Sequence, residues 1–336
     1  MHTGLKILVI RFSSIGDILF TTPVFRCLKQ QLENVEVHFL CKKSFKDVTR
    51  HNPYIDKFHY FEGDLSATIR ALKVEQFDYV IDLHKNFRTT RIKWALKTQS
   101  FTFEKETWRK WLLTKTGINK MTGKHITQRS LDAVAPLGVK DDGRGLDYFL
   151  SEQDEVSYSD LPTSHLAGFV AIVIGASYAT KKLPVEQLQQ LCEEIPYPII
   201  LIGGPEDIKE GETVASIDSI KIYNACGKFS LNQSADLVRK SKVVVSHDTG
   251  LQYAACAFNK PVVAIWGATS PKLDVAPYYG SESNQGDKFE NFIVPNLNCQ
   301  PCSNYGTRKC PKGHFKCMRN QDIKRIGATV VKFWRA

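Results

Sequence analysis

The sequence predicts an α/β protein with two domains, each built on a parallel β-sheet covered by helices. Short apolar runs alternate with helical patterns in both halves of the 336-residue chain, as expected for repeated strand–helix units. Between residues 143 and 164 this alternation gives way to polar, acidic sequence containing Pro162. Such a composition is typical of an interdomain connection.

The first domain is assigned to residues 1–155. Apolar residues recur at helical spacing between Val24 and Leu32, directly after the first strand and its polar turn, and they predict the first helix. The predicted strands of this half are 5–10, 36–40, 58–61 and 77–83.

The second domain is assigned to residues 165–320, and the last helix, 321–336, is interpreted as packing back on the first domain. The predicted strands of this half are 169–174, 198–202, 221–223, 243–245 and 262–265. The helices between them are placed at 185–194, 208–215 and 232–240.

The composition favours a cytoplasmic protein. The chain is 43% hydrophobic and 24% charged, and because it contains no apolar run of 18 residues, we expect neither a signal peptide nor a membrane span. Nine cysteines are an odd number. Five of them lie in apolar contexts typical of reduced core thiols.

Basic residues concentrate between residues 85 and 129. This segment holds twelve Lys or Arg and two Glu residues, an excess that equals the formal net charge of +10. Six Phe and Trp residues are interleaved with them. An anionic membrane surface, an acidic substrate or nucleic acid all suit this pattern, and a solvated basic face with buried aromatics is the alternative.

A phosphate site is predicted around residues 246–258. Asp248, Thr249 and Gly250 lie between two apolar runs and open a small-residue helix, so free N–H groups at its first turn face the carboxyl end of a sheet. The alternative is that these residues only cap the helix. Neither G-x-G-x-x-G after the first strand nor G-x-x-x-x-G-K-[ST] occurs, which disfavours nucleotide-dependent dehydrogenases and P-loop kinases.

Four motifs in order resemble the lipopolysaccharide heptosyltransferases of glycosyltransferase family 9. They are 7–17 with Thr22-Pro23, 175–177 with 181–184, 203–206, and 248–251 continuing through Pro261 to 266–271. The resemblance implies a GT-B fold, in which two Rossmann-like doubly wound domains face a central cleft. It also implies transfer of heptose or a related sugar from an ADP-sugar, with ADP-heptose as the expected donor, to a lipid-linked core oligosaccharide, with inversion and without a required cofactor.

The resemblance assigns the donor to the C-terminal domain. Lys181 is similar to the lysine that contacts the donor diphosphate, with Lys182 as the neighbouring alternative. Glu206 resembles the acid that binds the nucleoside ribose, with Asp207 as its alternative. The remaining donor-binding residues implied by the resemblance are Ser177, Asp248, Thr249, Gly250 and Leu251. Gln252 and Tyr253 depart from the methionine and histidine that the family commonly has there.

The resemblance assigns the acceptor to the N-terminal domain. Asp17 is similar to the general base, and a carboxylate at the end of the first strand suits that role; a first-turn helix acid is the alternative. Lys85 and Arg88 are expected to pair with acidic groups of the acceptor. His125 and Arg129 resemble a second acceptor element, and helix capping is equally compatible with them.

Localisation and metal content are further expectations. We expect a cytoplasmic protein that contacts the anionic inner-membrane face through residues 85–129. No D-x-D triplet follows an apolar strand, which disfavours a metal-dependent glycosyltransferase. Cys299, Cys302, Cys310 and Cys317 are compatible with a structural zinc site, with packing thiols or with a redox element.

Two other functions fit parts of the pattern. One is a polyanion or nucleic-acid binding module that uses residues 85–129 in front of a degenerate nucleotide fold, although nucleic acid is not expected for the enzyme. The other is a nucleotide-sugar epimerase of the same shape.

Overall fold

The computed structural model describes residues 4–281 and 285–336. Within this part, the chain forms two compact units. Unit 1 contains residues 4–106, 124–149 and 280–281. Unit 2 contains residues 107–123, 150–279 and 285–336.

All pairs of neighbouring strands are parallel. The strands are β1 (Lys6–Ile10), β2 (Glu36–Lys42), β3 (Lys57–Phe61), β4 (Tyr79–Asp82), β5 (Gln99–Thr102), β6 (Val170–Val173), β7 (Ile199–Ile202), β8 (Ile222–Asn224), β9 (Val243–His247), β10 (Val262–Ile265) and β11 (Phe289–Phe292). Because parallel strands need crossover connections, helices separate most of them.

Short and medium helices provide these connections. They are α1 (Ile15–Leu19), α2 (Thr22–Gln31), α3 (Leu65–Val74), α4 (Phe87–Leu96), α5 (Thr107–Thr116), α6 (Ile126–Asp132), α7 (Val185–Glu194), α8 (Ile208–Ala215), α9 (Leu231–Lys240), α10 (Gly250–Ala257), α11 (Lys316–Arg319) and α12 (Ile323–Arg335). No helix among the described residues has the length and apolar composition needed to span a membrane.

Unit 1 is built on a five-stranded sheet with the order β3-β2-β1-β4-β5. All five residues of β1 are buried, as expected for a central strand covered on both faces. The chain moves outward from β1 through β2 to β3, and then from β4 to β5 on the other side. The carboxyl ends of β1 and β4 therefore form the topological switch point, the place where open α/β sheets bind ligands.

Unit 2 is built on a six-stranded sheet with the order β11-β10-β9-β6-β7-β8. The strands β6 and β9 lie side by side at its centre, with Val170 opposite Val243 and Val173 opposite Ser246. The chain leaves β6 toward β8 and leaves β9 toward β11, so the switch point of this sheet lies between the carboxyl ends of β6 and β9. Two parallel-sheet α/β domains confirm the predicted fold class.

The last helix corrects an expectation. The apolar face of α12, which was expected to pack on the first domain, buries Ile326, Val330 and Phe333 in the core of unit 2 together with side chains of α7. The physical reason is its apolar stripe, which repeats at helical spacing and covers the sheet face beside α7. Residues 107–123, assigned to the first domain from the sequence, also group with unit 2.

Candidate active-site residues at two sheet edges

Asp248, Thr249, Gly250 and Leu251 lie at the switch point of unit 2. They follow the carboxyl end of β9 and open α10, and each is partly exposed. Thr249 is the N-cap residue in extended conformation, and its side chain makes no cap hydrogen bond to the described first turn of α10. Backbone N–H groups of a helix start favour an anion at such an edge.

Lys181 lies beside this helix start. It follows the neighbouring strand β6, and its Nζ lies 2.7 Å from Asp248 Oδ2 and 2.9 Å from the Asp248 carbonyl oxygen. The two side chains are only 13% and 11% exposed. A fixed ammonium group and the N-terminus of α10 therefore adjoin one another, a combination that suits a diphosphate.

Lys182 has a different role from Lys181. Its Nζ pairs with Asp207 Oδ1 at 2.7 Å and also with Glu210. Burial lowers the pKa of Lys182, but the hydrogen bonds to Asp207 and Glu210 outweigh burial and leave that pKa raised. This ion-paired lysine supports the fold, and Lys181 is the lysine beside α10.

Glu206 and Ser177 are exposed on loops at the same edge of the unit 2 sheet. Glu206 lies in a short turn after β7. The neighbouring Asp207 is 1% exposed, and its carboxylate accepts a hydrogen bond from the Gly204 N–H at 2.8 Å. Since Asp207 is buried and paired with Lys182, Glu206 is the acid available to a nucleoside.

Asp17 lies at the switch point of unit 1. Its Oδ1 pairs with Arg11 at 2.6 Å, and its Oδ2 accepts hydrogen bonds from the Ser14 hydroxyl at 2.7 Å and the Ser14 N–H at 3.1 Å. The side chain is 25% exposed. Asp17 therefore caps α1 and also presents a carboxylate, held by Arg11, at the end of β1.

Arg11, His84 and Lys105 surround this edge, and the sequence analysis did not select them. Lys105 Nζ donates to the His84 carbonyl oxygen at 3.1 Å, and Arg11 donates to the Leu83 carbonyl oxygen. Burial lowers the pKa of His84 to about 4, and Arg11 and Lys105 lower it further in the same direction. Burial and Arg11 also lower the pKa of Lys105. At this edge, cationic groups surround the carboxylates of Asp17 and Asp82.

Lys85 and Arg88 are exposed at the start of α4. They follow Asp82 at the carboxyl end of β4, whose Oδ1 accepts the N–H groups of His84 and Lys85 at 3.0 and 2.8 Å. The guanidinium of Arg88 lies 5.5 Å from the Phe61 ring centroid. Both basic groups remain accessible to an acidic ligand.

The position of Arg129 contradicts its expected role at the acceptor, whereas His125 is compatible with both acceptor binding and helix capping. Arg129 is 2% exposed; its Nη1 lies 3.0 Å from Glu106 Oε2 and donates to the Glu104 carbonyl oxygen at 2.9 Å. It is an internal ion-pair partner, and its burial excludes it as a surface contact for an acceptor. His125 caps α6, accepting the Thr127 N–H at 3.2 Å, and its ring is partly exposed.

Comparison with known proteins decides the family. Residues 65–311 match the profile of glycosyltransferase family 9 (heptosyltransferase). The chain belongs to glycosyltransferase family 9. It is therefore a glycosyltransferase, and the resemblance found in its motifs is confirmed.

Individual family members share the whole length of this fold. Lipopolysaccharide heptosyltransferase 1 of Campylobacter coli is 23% identical over 296 residues, which cover 79% of this chain and 84% of that protein. The family 9 glycosyltransferase of Veillonella parvula has a TM-score of 0.77 at 18% identity, covering 100% of this chain and 99% of the other. The E. coli ADP-heptose lps heptosyltransferase II has a TM-score of 0.73 at 18% identity, covering 98% and 99%. These likenesses confirm the GT-B fold.

A more distant structural neighbour contains a metal. The dodecameric glycosyltransferase TibC of enterotoxigenic E. coli H10407 is iron-containing, and it has a TM-score of 0.56 at 14% identity, covering 99% of this chain and 76% of the other. The fold is therefore compatible with a bound metal.

The C-terminal cysteines of this family 9 chain are neighbours. Cys317 is buried and Cys299, Cys302 and Cys310 are partly buried. The Sγ of Cys299 lies 3.8 Å from His314 Nε2. Burial raises the pKa of Cys317 to about 12, with the other three thiols as further causes. Among the described residues, the four sulfurs do not form a group of donors within 4.8 Å of one another, so structural zinc stays a prediction.

Tyr253 and Gln252 depart from the common family pattern, and the structure shows what each does. The Tyr253 hydroxyl lies 2.9 Å from Asp248 Oδ1 and 3.0 Å from the Val275 carbonyl oxygen, so it holds the carboxylate that pairs with Lys181. Gln252 is completely buried. In the described part of the chain, neither polar atom of its amide has a hydrogen-bond partner.

We expect Gln252→Met to stabilise unit 2. Methionine has nearly the same length and removes two buried polar atoms that lost their water partners on folding, which is worth about 1–3 kcal/mol in the free energy of unfolding. Urea denaturation of the variant and the wild type measures this difference. Gln190→Met, at an exposed position of α7, is the matched control and should change little. A destabilised Gln252→Met would contradict the absence of a partner for the amide.

Proposed function

We propose that this family 9 enzyme transfers heptose, or a related sugar, from an ADP-sugar to a lipopolysaccharide inner-core acceptor, with inversion and without a metal ion in the transfer step. The observation that carries this proposal is the position of Lys181 beside the N-terminus of α10. Support comes from the names of relatives, which include lipopolysaccharide and ADP-heptose heptosyltransferases.

The donor half of the proposal rests on unit 2. The diphosphate binds Lys181 and the first N–H groups of α10, while Glu206 accepts hydrogen bonds from the ribose hydroxyls. Ser177, Thr249 and Leu251 line the same edge. As the bond from the anomeric carbon to the diphosphate breaks, negative charge grows on the leaving ADP, and a fixed ammonium group and aligned N–H groups stabilise it.

The acceptor half rests on unit 1. Asp17 takes the proton of the acceptor hydroxyl as the hydroxyl oxygen attacks the anomeric carbon from the face opposite the diphosphate, which inverts that carbon. The products are the extended glycoside, ADP and a protonated Asp17. Arg11 holds the carboxylate in place. Lys85 and Arg88 bind phosphate or sugar-acid carboxylates of the acceptor, and His125 contributes a partly exposed imidazole.

The enzyme is proposed to act at the cytoplasmic face of the inner membrane. On α4, Phe87 and Trp94 are 76% and 84% exposed, and Arg91 lies between them with its guanidinium 6.0 Å from the Phe87 ring centroid. Trp108 and Trp111 on α5 are also largely exposed. Exposed aromatic side chains interleaved with cations suit the headgroup region of an anionic bilayer.

Donor binding is tested with Lys181→Ala. ADP at one hundred times its Kd should stabilise the wild type by about 2.7 kcal/mol, visible as a rise in melting temperature. Lys181→Ala should lose most of this rise because the diphosphate loses its ammonium partner. Lys209→Ala, at an exposed position in the same unit, should keep it. Equal ADP stabilisation of wild type and Lys181→Ala would contradict the assignment.

Transfer is tested with Asp17→Asn. The amide still accepts the hydrogen bonds that cap α1 but accepts no proton, so we expect transfer to a lipid-core acceptor to fall by roughly 10²–10⁴-fold. The melting shift with ADP should remain. Glu33→Gln, an exposed acid of unit 1, serves as the control. Product analysis by mass spectrometry and NMR gives the rate and the anomeric configuration, and undiminished turnover would remove Asp17 from the mechanism.

Membrane contact is tested with Trp94→Ser. Burial of a large apolar side chain contributes roughly 1.5–3 kcal/mol, so binding to vesicles that contain anionic phospholipid should weaken about tenfold or more. Val74→Ser on α3 removes a side chain that is 81% exposed outside this surface and should leave binding unchanged. Sedimentation with anionic and with purely zwitterionic vesicles gives the two affinities. Equal binding to both would argue against the proposed surface.

A further inference from the structure

Two histidines and a glutamate from three separate elements meet in unit 1, outside the hydrogen-bonded groups around Asp17. His38 lies on β2, His59 lies on β3, and Glu75 directly follows α3. One donor atom from each side chain lies within 4.8 Å of those of the other two. Asp17 follows the carboxyl end of β1, whereas His38 lies opposite Leu8, two residues before that end, a separation of roughly 7 Å along the strand.

The two imidazoles face each other through single nitrogen atoms. His38 Nδ1 lies 2.8 Å from His59 Nε2, and the rings are stacked with centroids 5.1 Å apart. The Phe77 ring packs edge-on against both, with centroids 5.0 Å from His38 and 6.1 Å from His59. His38 is completely buried. The Phe77 ring therefore restricts the orientation of both imidazoles.

Glu36 orients His38. One of its oxygens lies 2.6 Å from His38 Nε2, and since a carboxylate only accepts hydrogen bonds, the proton of a neutral His38 resides on Nε2. The lone pair of His38 Nδ1 therefore points at His59. A carboxylate that accepts the N–H of an imidazole in this way is the usual support of a metal-ligating histidine.

We propose that His38, His59 and Glu75 form a binding site for a divalent transition metal of the zinc type, with Glu36 as the positioning residue. Two imidazole nitrogens and one carboxylate oxygen are a common three-ligand set for zinc, and water fills the fourth position. Tetrahedral zinc with bonds of about 2.0–2.1 Å separates two ligand nitrogens by about 3.3 Å. The two nitrogens therefore need to move apart by about half an ångström. Since His59 Nε2 donates the proton of its contact with His38, that proton moves to His59 Nδ1 when the metal binds.

Two lysines compete with the metal for Glu75. Lys57 Nζ lies 2.7 Å from Glu75 Oε1, and Lys6 Nζ lies 4.0 Å from Oε2. Lys57 is half exposed, so its ammonium group moves into solvent at little cost when the carboxylate turns to the metal. Lys6 is mostly buried and also lies 3.6 Å from Glu36, which keeps a counter-charge for the second carboxylate.

The experiment compares zinc binding by full-length variants. Protein stripped with a chelator and desalted is dialysed against ZnCl₂, and bound zinc is measured by mass spectrometry while calorimetry gives the affinity. His59→Gln should bind one zinc fewer than wild type. Glu36→Ala should still bind one zinc at this site, but its affinity for that zinc should fall roughly 10–100-fold. His51→Gln, another histidine of unit 1, should behave as wild type.

The C-terminal cysteines require their own control. All proteins are also compared in a Cys299→Ser/Cys302→Ser background, and Co²⁺ replaces zinc to report the ligands, because thiolate ligation produces intense charge-transfer absorption and nitrogen–oxygen ligation does not. The Co²⁺ ion that the wild type binds and His59→Gln does not bind should contribute none of this charge-transfer absorption. Should His59→Gln fail to fold by circular dichroism, Glu75→Gln decides with the same readouts. Unchanged zinc content and affinity in the folded variant would overturn the proposal, whatever the fate of glycosyl transfer.

Discussion

The ion pair between Lys181 and Asp248 is the interaction on which the candidate donor site depends. Both side chains are nearly buried, and an unpaired charge in such surroundings is costly. The pair joins the loop after β6 to the start of α10 across the switch point of the sheet. A diphosphate that binds Lys181 has to compete with Asp248, and Tyr253 then remains as a hydrogen-bond donor to the carboxylate. The lysine is therefore ordered before the ligand arrives, which reduces the entropic cost of binding.

Unit 1 contains a similar ion pair, but there the carboxylate is the candidate functional group and the cation holds it. There a carboxylate, Asp17, is held by a guanidinium, Arg11, which also donates to the Ser13 and Leu83 carbonyl oxygens. Both pairs lie at the end of a central strand beside its neighbour, where two loops that leave the sheet in opposite directions adjoin. Unit 2 therefore holds a fixed cation at its switch point, and unit 1 holds a fixed carboxylate at its own.

Local signals in the sequence predicted nine of the eleven strands in the described part of the chain and missed β5 and β11. Pairings between residues far apart in the sequence gave no local signal. Continuous apolar runs marked β1 and β9 because central parallel strands are buried on both faces. The partner of Arg129 is Glu106, far back along the chain, so nothing local distinguished a buried arginine from an exposed one. Lys181 and Lys182 are adjacent and chemically identical, and acidic partners from other loops separate their roles: Asp248 pairs with Lys181, and Asp207 pairs with Lys182. His38, His59 and Glu75 come from three elements with no characteristic spacing.

Some of the cations between residues 85 and 129 are paired or held inside unit 1, so the net charge of the segment overstates the charge on its surface. Of the cations between residues 85 and 129, Lys93 pairs with the buried Asp82 at 3.0 Å, Arg129 pairs with Glu106, and Lys105 donates to backbone carbonyl groups. These charges are neutralised or held within unit 1, so they add little to the field outside it. The exposed basic groups of this segment in unit 1 include Lys85, Lys97 and the cations of α4, which lie beside the exposed aromatic side chains of that helix. The proposed membrane contact consequently depends on one helical face more than on the total charge of the segment, and apolar insertion has to supply part of its affinity.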